Sequence, residues 1–228
     1  RGHDMRVADH PALQSASRRG AVIPVFVWAP EEWSPGEAGK WWLQNSLKRL
    51  AEDLSDLGAD LVLRHGGSSA DEIAKLVEEG GADAVYWNRV YDPLLARMCK
   101  SVREEMQKKE IRTETFKSEL LVEPWELKDA EGNHYDSLNA YVKAWMALPP
   151  PPPPMACPRK IVSPNKKLNS CDLMEMKICS KGEQDADLSE RWTVGSKAAK
   201  QCLDRFLADI FPTFGDCRCR RDLNGTSK

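Results

Sequence analysis

Residues 21–28, AVIPVFVW, decide the fold. Six of the eight are apolar residues other than proline and alanine, three of them valine, in a continuous run rather than an alternating one. An alternating run would mark a strand with one wet face, whereas this one marks a strand covered on both faces, as in the interior of a parallel sheet. Ala29-Pro30 ends it, because proline supplies no N–H to a ladder.

Working outward, the next segment changes period. Trp42, Leu43, Leu47, Leu50, Leu54 and Leu57 recur at helical spacing from Gly39 to Leu57, and Gly58 stands where a glycine C-cap belongs. The pattern then repeats. ADLVLRHG (59–66) reads as a strand, and Ser68 and Ser69 open a helix that carries Asp71 and Glu72 in its first turn, where the helix dipole favours acids. ADAVYWN (82–88) is a third strand, PLLARMCKSVREEMQKK (93–109) a third helix and IRTETF (111–116) a fourth strand. Strands that alternate with helices form βαβ units, so the expected class is α/β with a doubly wound parallel sheet and right-handed crossovers. DMRVADHPAL (4–13) opens a helix at His10-Pro11 with no strand leading into it, so the sheet is expected to lack its first strand.

The alternation stops at Pro149–Pro154, six prolines in a row that adopt polyproline II geometry and cannot continue a helix or sheet. Residues 155–190 are rich in Ser, Asn, Lys, Asp and Glu and read as a long, poorly ordered connection. Helical period returns over 196–211 with Ala199, Cys202, Leu203, Phe206, Leu207 and Ile210. The expected organisation is an α/β domain over 1–148, a Pro-rich and polar linker over 149–190, and the start of a second, helical domain over 191–228.

Composition narrows the function. The formal charge is -2, with 33 basic and 35 acidic residues among 228, so the chain as a whole carries no electrostatic footprint for nucleic acid or anionic membrane. No apolar run approaches the roughly 20 residues of a membrane helix, and the first residues lack the order of a secretory signal. The expectation is a soluble intracellular protein without membrane partners. Seven cysteines fit neither a disulfide framework nor paired zinc spacing, and Cys217 and Cys219, one residue apart with no histidine nearby, do not make a metal site. His3, His10, His65 and His134 fall in expected loops and form no cluster, so each is expected to be solvated. Neither a dinucleotide fingerprint nor a Walker loop is present. Of the eight tryptophans, Trp28, Trp41, Trp42, Trp87 and Trp125 offer a π-rich surface for a chromophore or base, although the positions of Trp42 and Trp87 fit core packing better.

Taken in order, these segments resemble the N-terminal half of the photolyase/cryptochrome family. HDMRVADHPAL (3–13) is similar to its D-L-R-V-x-D-N-P-A-L element, and VIPVFVWAPEE (22–32), WWLQNSLKRL (41–50) and YWNRVYDP (86–93) resemble its second strand, first long helix and fourth-strand loop. LLVEPWELKDAEGNHYDSLNAYVKAW (120–145) resembles its L-L-x-E-P-W segment and closing helix, and RWTVGSKAAKQCLDRFL (191–207) the helix that opens its flavin domain. The E-P-W and Y-D-P details lean toward the plant-type cryptochrome branch and its related photolyases.

The resemblance implies a blue-light flavoprotein that binds flavin adenine dinucleotide (FAD) in the full-length protein. It implies that Thr226 and Ser227 are the first flavin contacts, holding the pyrophosphate at a helix start. Phe214, twelve residues earlier, occupies the place of a tyrosine stacked near the flavin. The family's polar Asn-Glu pair for a folate antenna is replaced by Leu94 and Leu95, which argues against an antenna pigment. Three roles stay open: a cryptochrome photoreceptor acting on signalling partners, a deoxyribodipyrimidine photolyase acting on damaged DNA, and an unrelated nucleotide-binding α/β domain. The catalytic domain of a carbon–carbon lyase, if the repair role holds, lies outside these residues.

Overall fold

The computed structural model describes residues 4–179, 184–220 and 222. Helix α1 (Pro11–Arg19) is followed by four strands and three helices in strict alternation: β1 (Val25–Trp28), α2 (Glu37–Asp56), β2 (Val62–His65), α3 (Ser69–Gly80), β3 (Ala84–Asn88), α4 (Pro93–Lys108) and β4 (Arg112–Phe116). The expected strands and helices are all present, and both strand pairings are parallel. β1 pairs with β2 from Val25 opposite Val62 to Trp28 opposite His65, and β3 with β4 from Ala84 opposite Arg112 to Asn88 opposite Phe116.

Local chemistry sets the helix ends. Leu57 ends α2, Gly58 follows at φ +88°, and the Ala59 N–H returns to the Leu54 carbonyl at 3.0 Å. Only a residue without Cβ adopts that conformation without strain. Gly81, at φ +65°, closes α3 in the same left-handed region.

The four strands do not join into one sheet. They form two separate two-stranded sheets, and β1 and β3 face each other across a cleft of about 610 Å³. Val25, Phe26 and Val27 line one side, and Ala84, Val85 and Tyr86 the other. Helices carry the load that a continuous ladder would: α3 packs against both β1 and α4, and α1 against β3 and β4. Ala70, Ala74, Val77, Val102 and Met106 form the core between α3 and α4, with Val85 and Trp87 against it. On the other half, Phe26, Trp28, Leu43, Leu47 and Leu63 pack β1 and β2 beneath α2.

Residues 155–179 depart from the expectation of a poorly ordered connection. They lie along the β1–β2 half, and Ile161, Met176 and Ile178 are 1%, 2% and 1% exposed. Met176 and Ile178 complete the cluster around Phe26 and Trp28, and Ile161 sits with Leu54 and Ala59. The same segment closes the outer edge of β2. The Leu63 N–H donates to Ser170 Oγ at 2.9 Å and the Leu63 carbonyl accepts from Cys171 N at 2.8 Å. An edge strand needs such a cover, and a single extended segment supplies it here without strand period in its sequence.

Beyond Phe116 lie α5 (Leu138–Met146), α6 (Gln184–Arg191) and α7 (Ser196–Arg205), the last continued by a π-helical stretch (Phe206–Ile210), a 3-10 turn (Phe211–Thr213) and the short α8 (Phe214–Cys217). No residue of α5, α7 or α8 is buried. α7 is held to α2 by polar contacts, Ser196 Oγ to Asp53 Oδ2 at 3.2 Å and Lys197 Nζ to Asp53 Oδ1 at 3.0 Å. Neither helix nor strand crosses Pro149–Pro154.

Burial of Ile178 makes a sharp test. Ile178→Ala is expected to lower unfolding stability by about 2–5 kcal/mol, the range for truncating a packed core isoleucine. A change within about 0.5 kcal/mol, the surface range, measured by urea titration, would return residues 155–179 to the status of a linker.

Candidate functional site

Open α/β sheets bind ligands beyond the carboxyl ends of their strands, and the loops there carry a linked set of buried polar contacts. At the end of β3, Asn88 is 1% exposed. Its Oδ1 accepts from the Ala12 N–H at 3.1 Å and its Nδ2 donates to Asp4 Oδ1 at 3.0 Å, which ties the start of α1 to β3. His10 caps α1, its Nδ1 accepting from the Leu13 N–H at 3.0 Å. The ring is half-buried, and burial pulls its pKa below 6.5, against the pull of Asp4 and with the help of Arg6. The expectation of a solvated His10 is therefore corrected, whereas His65, which closes β2 rather than lying in a loop, and His134 are exposed as expected, and His3 lies outside the described residues.

One loop further on, Arg89 and Tyr91 converge on Glu123. The carboxylate is 1% exposed, and it accepts from Arg89 Nη1 on one oxygen and from the Tyr91 hydroxyl on the other. A buried charge is tolerated only when paired and hydrogen-bonded, and this one is both. Burial first, then the Glu123 hydrogen bond and charge, push the Tyr91 pKa up to about 12. The Arg89 guanidinium also stands 5.6 Å from the centroid of Trp125, a cation–π contact that leaves Trp125 56% exposed. The Y-D-P and E-P-W segments of the sequence are thus clasped together, a contact that neither segment signals alone.

Two helix N-termini at this rim, those of α3 and α4, are already occupied, whereas Gly36 at the start of α2 carries no side-chain cap and the buried Ser69 hydroxyl has no hydrogen-bond partner among the described residues. Ser68 Oγ accepts from the Asp71 N–H at 3.3 Å, Glu32 Oε2 from the Ser69 N–H at 3.0 Å, and Asp92 Oδ1 from the Leu94 and Leu95 N–H groups at 2.9 and 3.0 Å. Donors that would otherwise attract a phosphate are spent on the protein's own oxygens. Leu94 is exposed and Leu95 buried beside that cap. Among the described residues no group of three or more His, Cys, Asp or Glu is placed to hold a metal ion, and all seven cysteines are free.

Aromatic placement corrects one expectation. Trp41, not Trp42, enters the core, at 6% exposure, while Trp42 is 42% exposed and meets Trp192 edge-on at 5.9 Å. Trp87 does line the core, with Arg103 over its ring at 5.8 Å. Phe214 lies on α8, away from the rim, half-buried with its ring 5.7 Å from that of Phe206. Thr226 and Ser227 lie outside the described residues. Among the described residues no helix is long and apolar enough to cross a membrane.

The His10 cap gives a pH dependence with a defined sign. Its folded pKa lies below the ordinary value of 6.5, so the unfolded chain takes up a proton before the folded chain does. The contribution is complete above pH 6.5 and is lost as pH falls through the folded value. Melting temperatures followed into acid should fall more steeply for the wild type than for His10→Asn, which keeps a cap acceptor without a titrating ring. Parallel curves would remove His10 from the account.

Comparison with known proteins adds the last observations. The family model described as DNA photolyase matches residues 1–158. Cryptochrome-1 of Arabidopsis thaliana is 31% identical over 228 residues, an alignment that covers 98% of this chain and 34% of that protein. The deoxyribodipyrimidine photo-lyase of Agrobacterium fabrum is 33% identical over 210 residues, covering 90% of this chain and 43% of that protein. Among solved structures, a bacterial class III photolyase from Agrobacterium tumefaciens superposes with a TM-score of 0.82 at 31% identity, covering 90% of this chain and 42% of that one. The chain therefore spans between about a third and under half the length of the proteins it matches.

Proposed function

Because the chain belongs to the photolyase/cryptochrome family, we propose that it is the α/β portion of a blue-light-absorbing flavoprotein, and that the full-length protein is a cryptochrome photoreceptor signalling through photoreduction of FAD. The observation that carries this reading is the 31% identity to a plant cryptochrome sustained over 98% of the chain, supported by the E-P-W and Y-D-P segments. The third role, an unrelated nucleotide-binding domain, is set aside by family membership. A second reading, light-driven repair of cyclobutane pyrimidine dimers in DNA, is favoured by the 33% identity to a photolyase and by the fold match to another.

Three residues of this chain are assigned to the flavin. Thr226 and Ser227 would hold its pyrophosphate through hydroxyl and backbone donors, and Phe214 would give a ring contact worth about 0.5–1.5 kcal/mol beyond its burial. Phe214 fits such a role in that it is half-buried on a face already lined by the Phe206 ring. Flavin, when bound, supplies one-electron chemistry under blue light. The α/β portion supplies support: the starts of α3 and α4 are capped by its own oxygens, and Leu94 and Leu95 stand where an antenna-binding pair would be, which argues against a second pigment at the α4 cap. In this reading the cleft between β1 and β3 is the place of the sheet's first strand, flanked on both sides by parallel neighbours.

Two measurements test these assignments. The full-length protein should be yellow and show blue-light flavin reduction without repair of dimer-containing DNA, whereas residues 1–228 alone should be colourless, since these few contacts fall short of the roughly 8 kcal/mol that micromolar affinity requires. Light-dependent loss of dimers would replace the receptor reading with repair.

For the sheet, adding a five-residue valine-rich strand upstream of Arg1 should raise the melting temperature by about 2–4 °C for each kcal/mol regained. An unchanged melt would leave the cleft without its assigned strand.

A further inference from the structure

The six prolines have a structural setting that none of the readings above uses. Pro149–Pro154 are all exposed, and none of their carbonyls accepts a hydrogen bond among the described residues. One end of the run is fixed to the α/β body, and the other continues from a helix. On one side it leaves the closing turn of α5, where the Leu148 N–H donates to the Trp145 carbonyl at 3.0 Å. On the other, Met155 exchanges two hydrogen bonds with Asp9, its carbonyl accepting from Asp9 N at 2.9 Å and its N–H donating to Asp9 Oδ1 at 3.0 Å. Pro158 beyond it is buried. The run is therefore a strut tethered at Met155 and continuous with α5 at its other end, about 19 Å long at 3.1 Å per residue, or two turns of polyproline II.

A tethered strut of this kind has little conformational entropy left to lose on binding, which is the property that proline-recognition grooves exploit. Its flanks are apolar and accessible: Leu148 is 39% exposed, Met155 42% and Trp145 39%. They are also uncharged, with no Lys or Arg between Lys143 and Arg159 and no tyrosine after Tyr141. A groove that relies on an acidic anchor for a basic flank, or on a tyrosine after the prolines, finds neither.

We propose that Leu148–Pro154 is a docking peptide for a partner protein bearing an uncharged, aromatic-lined proline-binding groove, whose rings stack on the prolines, whose donors take the free carbonyls, and whose end pocket accepts Leu148.

Isothermal titration of the 228-residue chain and of the full-length protein against purified EVH1, SH3 and WW domains tests this. Binding to the EVH1 domain is expected, insensitive to added salt because no charge pair contributes. It should weaken on the order of ten-fold in Pro151→Ala/Pro152→Ala with the melting temperature unchanged, and also in Leu148→Ala. Binding unaffected by the proline substitutions would overturn the proposal, as would binding to none of the domains or salt-sensitive binding to the SH3 domain alone. Binding by the 228-residue chain but not by the full-length protein would assign the run to an internal contact and overturn it equally.

Discussion

The constraint on which this structure depends is that a peptide group removed from water must find a partner. A parallel sheet buried on both faces meets it only sideways, through the next strand or a substitute. In this chain the outer edge of β2 is met by Ser170 Oγ and the Cys171 N–H, so a segment with no strand pattern becomes part of the sheet's architecture. Among the described residues the facing edges of β1 and β3 have no strand between them, and the two halves are held together by helices: α3 reaches from β1 to α4, and α1 is tied to β3 through Asn88. The cleft between the halves is the geometric consequence.

That constraint also explains which parts of the fold were legible in the residues. β2 announces itself because burial on both faces demands an apolar run, β1, β3 and β4 by their β-branched and aromatic residues although β4 buries none of them, and α2 and α3 because burial on one face demands helical period. Gly58, Ser68 and Gly81 mark element ends because each solves a local backbone problem. Ile161, Met176 and Ile178 could not be read in this way. Ile161 and Val162 sit in a stretch of lysine, serine and proline, and Met174, Met176 and Ile178 alternate with Glu175 and Lys177 in a run too short to outweigh the polar composition around it. What buries Ile161, Met176 and Ile178 is the path of the chain over α2 and β2. Trp41 and Trp42 show the same limit at finer scale: adjacent residues on a helix differ by about 100° of rotation, so a small error in phase exchanges which of the pair enters the core.

The candidate site was less legible, because it is made of contacts between segments that are far apart in sequence. Glu123 and Arg89 are separated by 34 positions, and Asn88 and Asp4 by 84. A lone carboxylate after a leucine pair carries no sign that it will be almost fully buried. His10 was legible as the opening of a helix but not as its cap, since histidine is an unusual cap whose acceptor depends on which ring nitrogen lacks the proton. Thr226 and Ser227 rest on family resemblance and lie beyond the described residues, so their assignment stands on sequence alone.

Once a rim has satisfied its own donors, its role in a larger protein changes. Asp92, Ser68 and Glu32 occupy the N-termini of α3 and α4, and Glu123 locks two loops through Arg89 and Tyr91. At those two helix starts a small anion must first displace a bonded oxygen that is held in place. A surface built this way is well suited to being rigid. Rigidity is what a scaffold contributes when the chemistry belongs to a cofactor held elsewhere. The exposed apolar residues follow the same division: Leu138 and Met146 of α5, with Leu203, Leu207 and Phe211 of the C-terminal helices, stand on elements that bury nothing. The rim pairs most of its polar groups internally while α5 and the C-terminal helices present apolar surface, so association with further structure would be driven by burial, with the polar contacts of the rim fixing the geometry in advance.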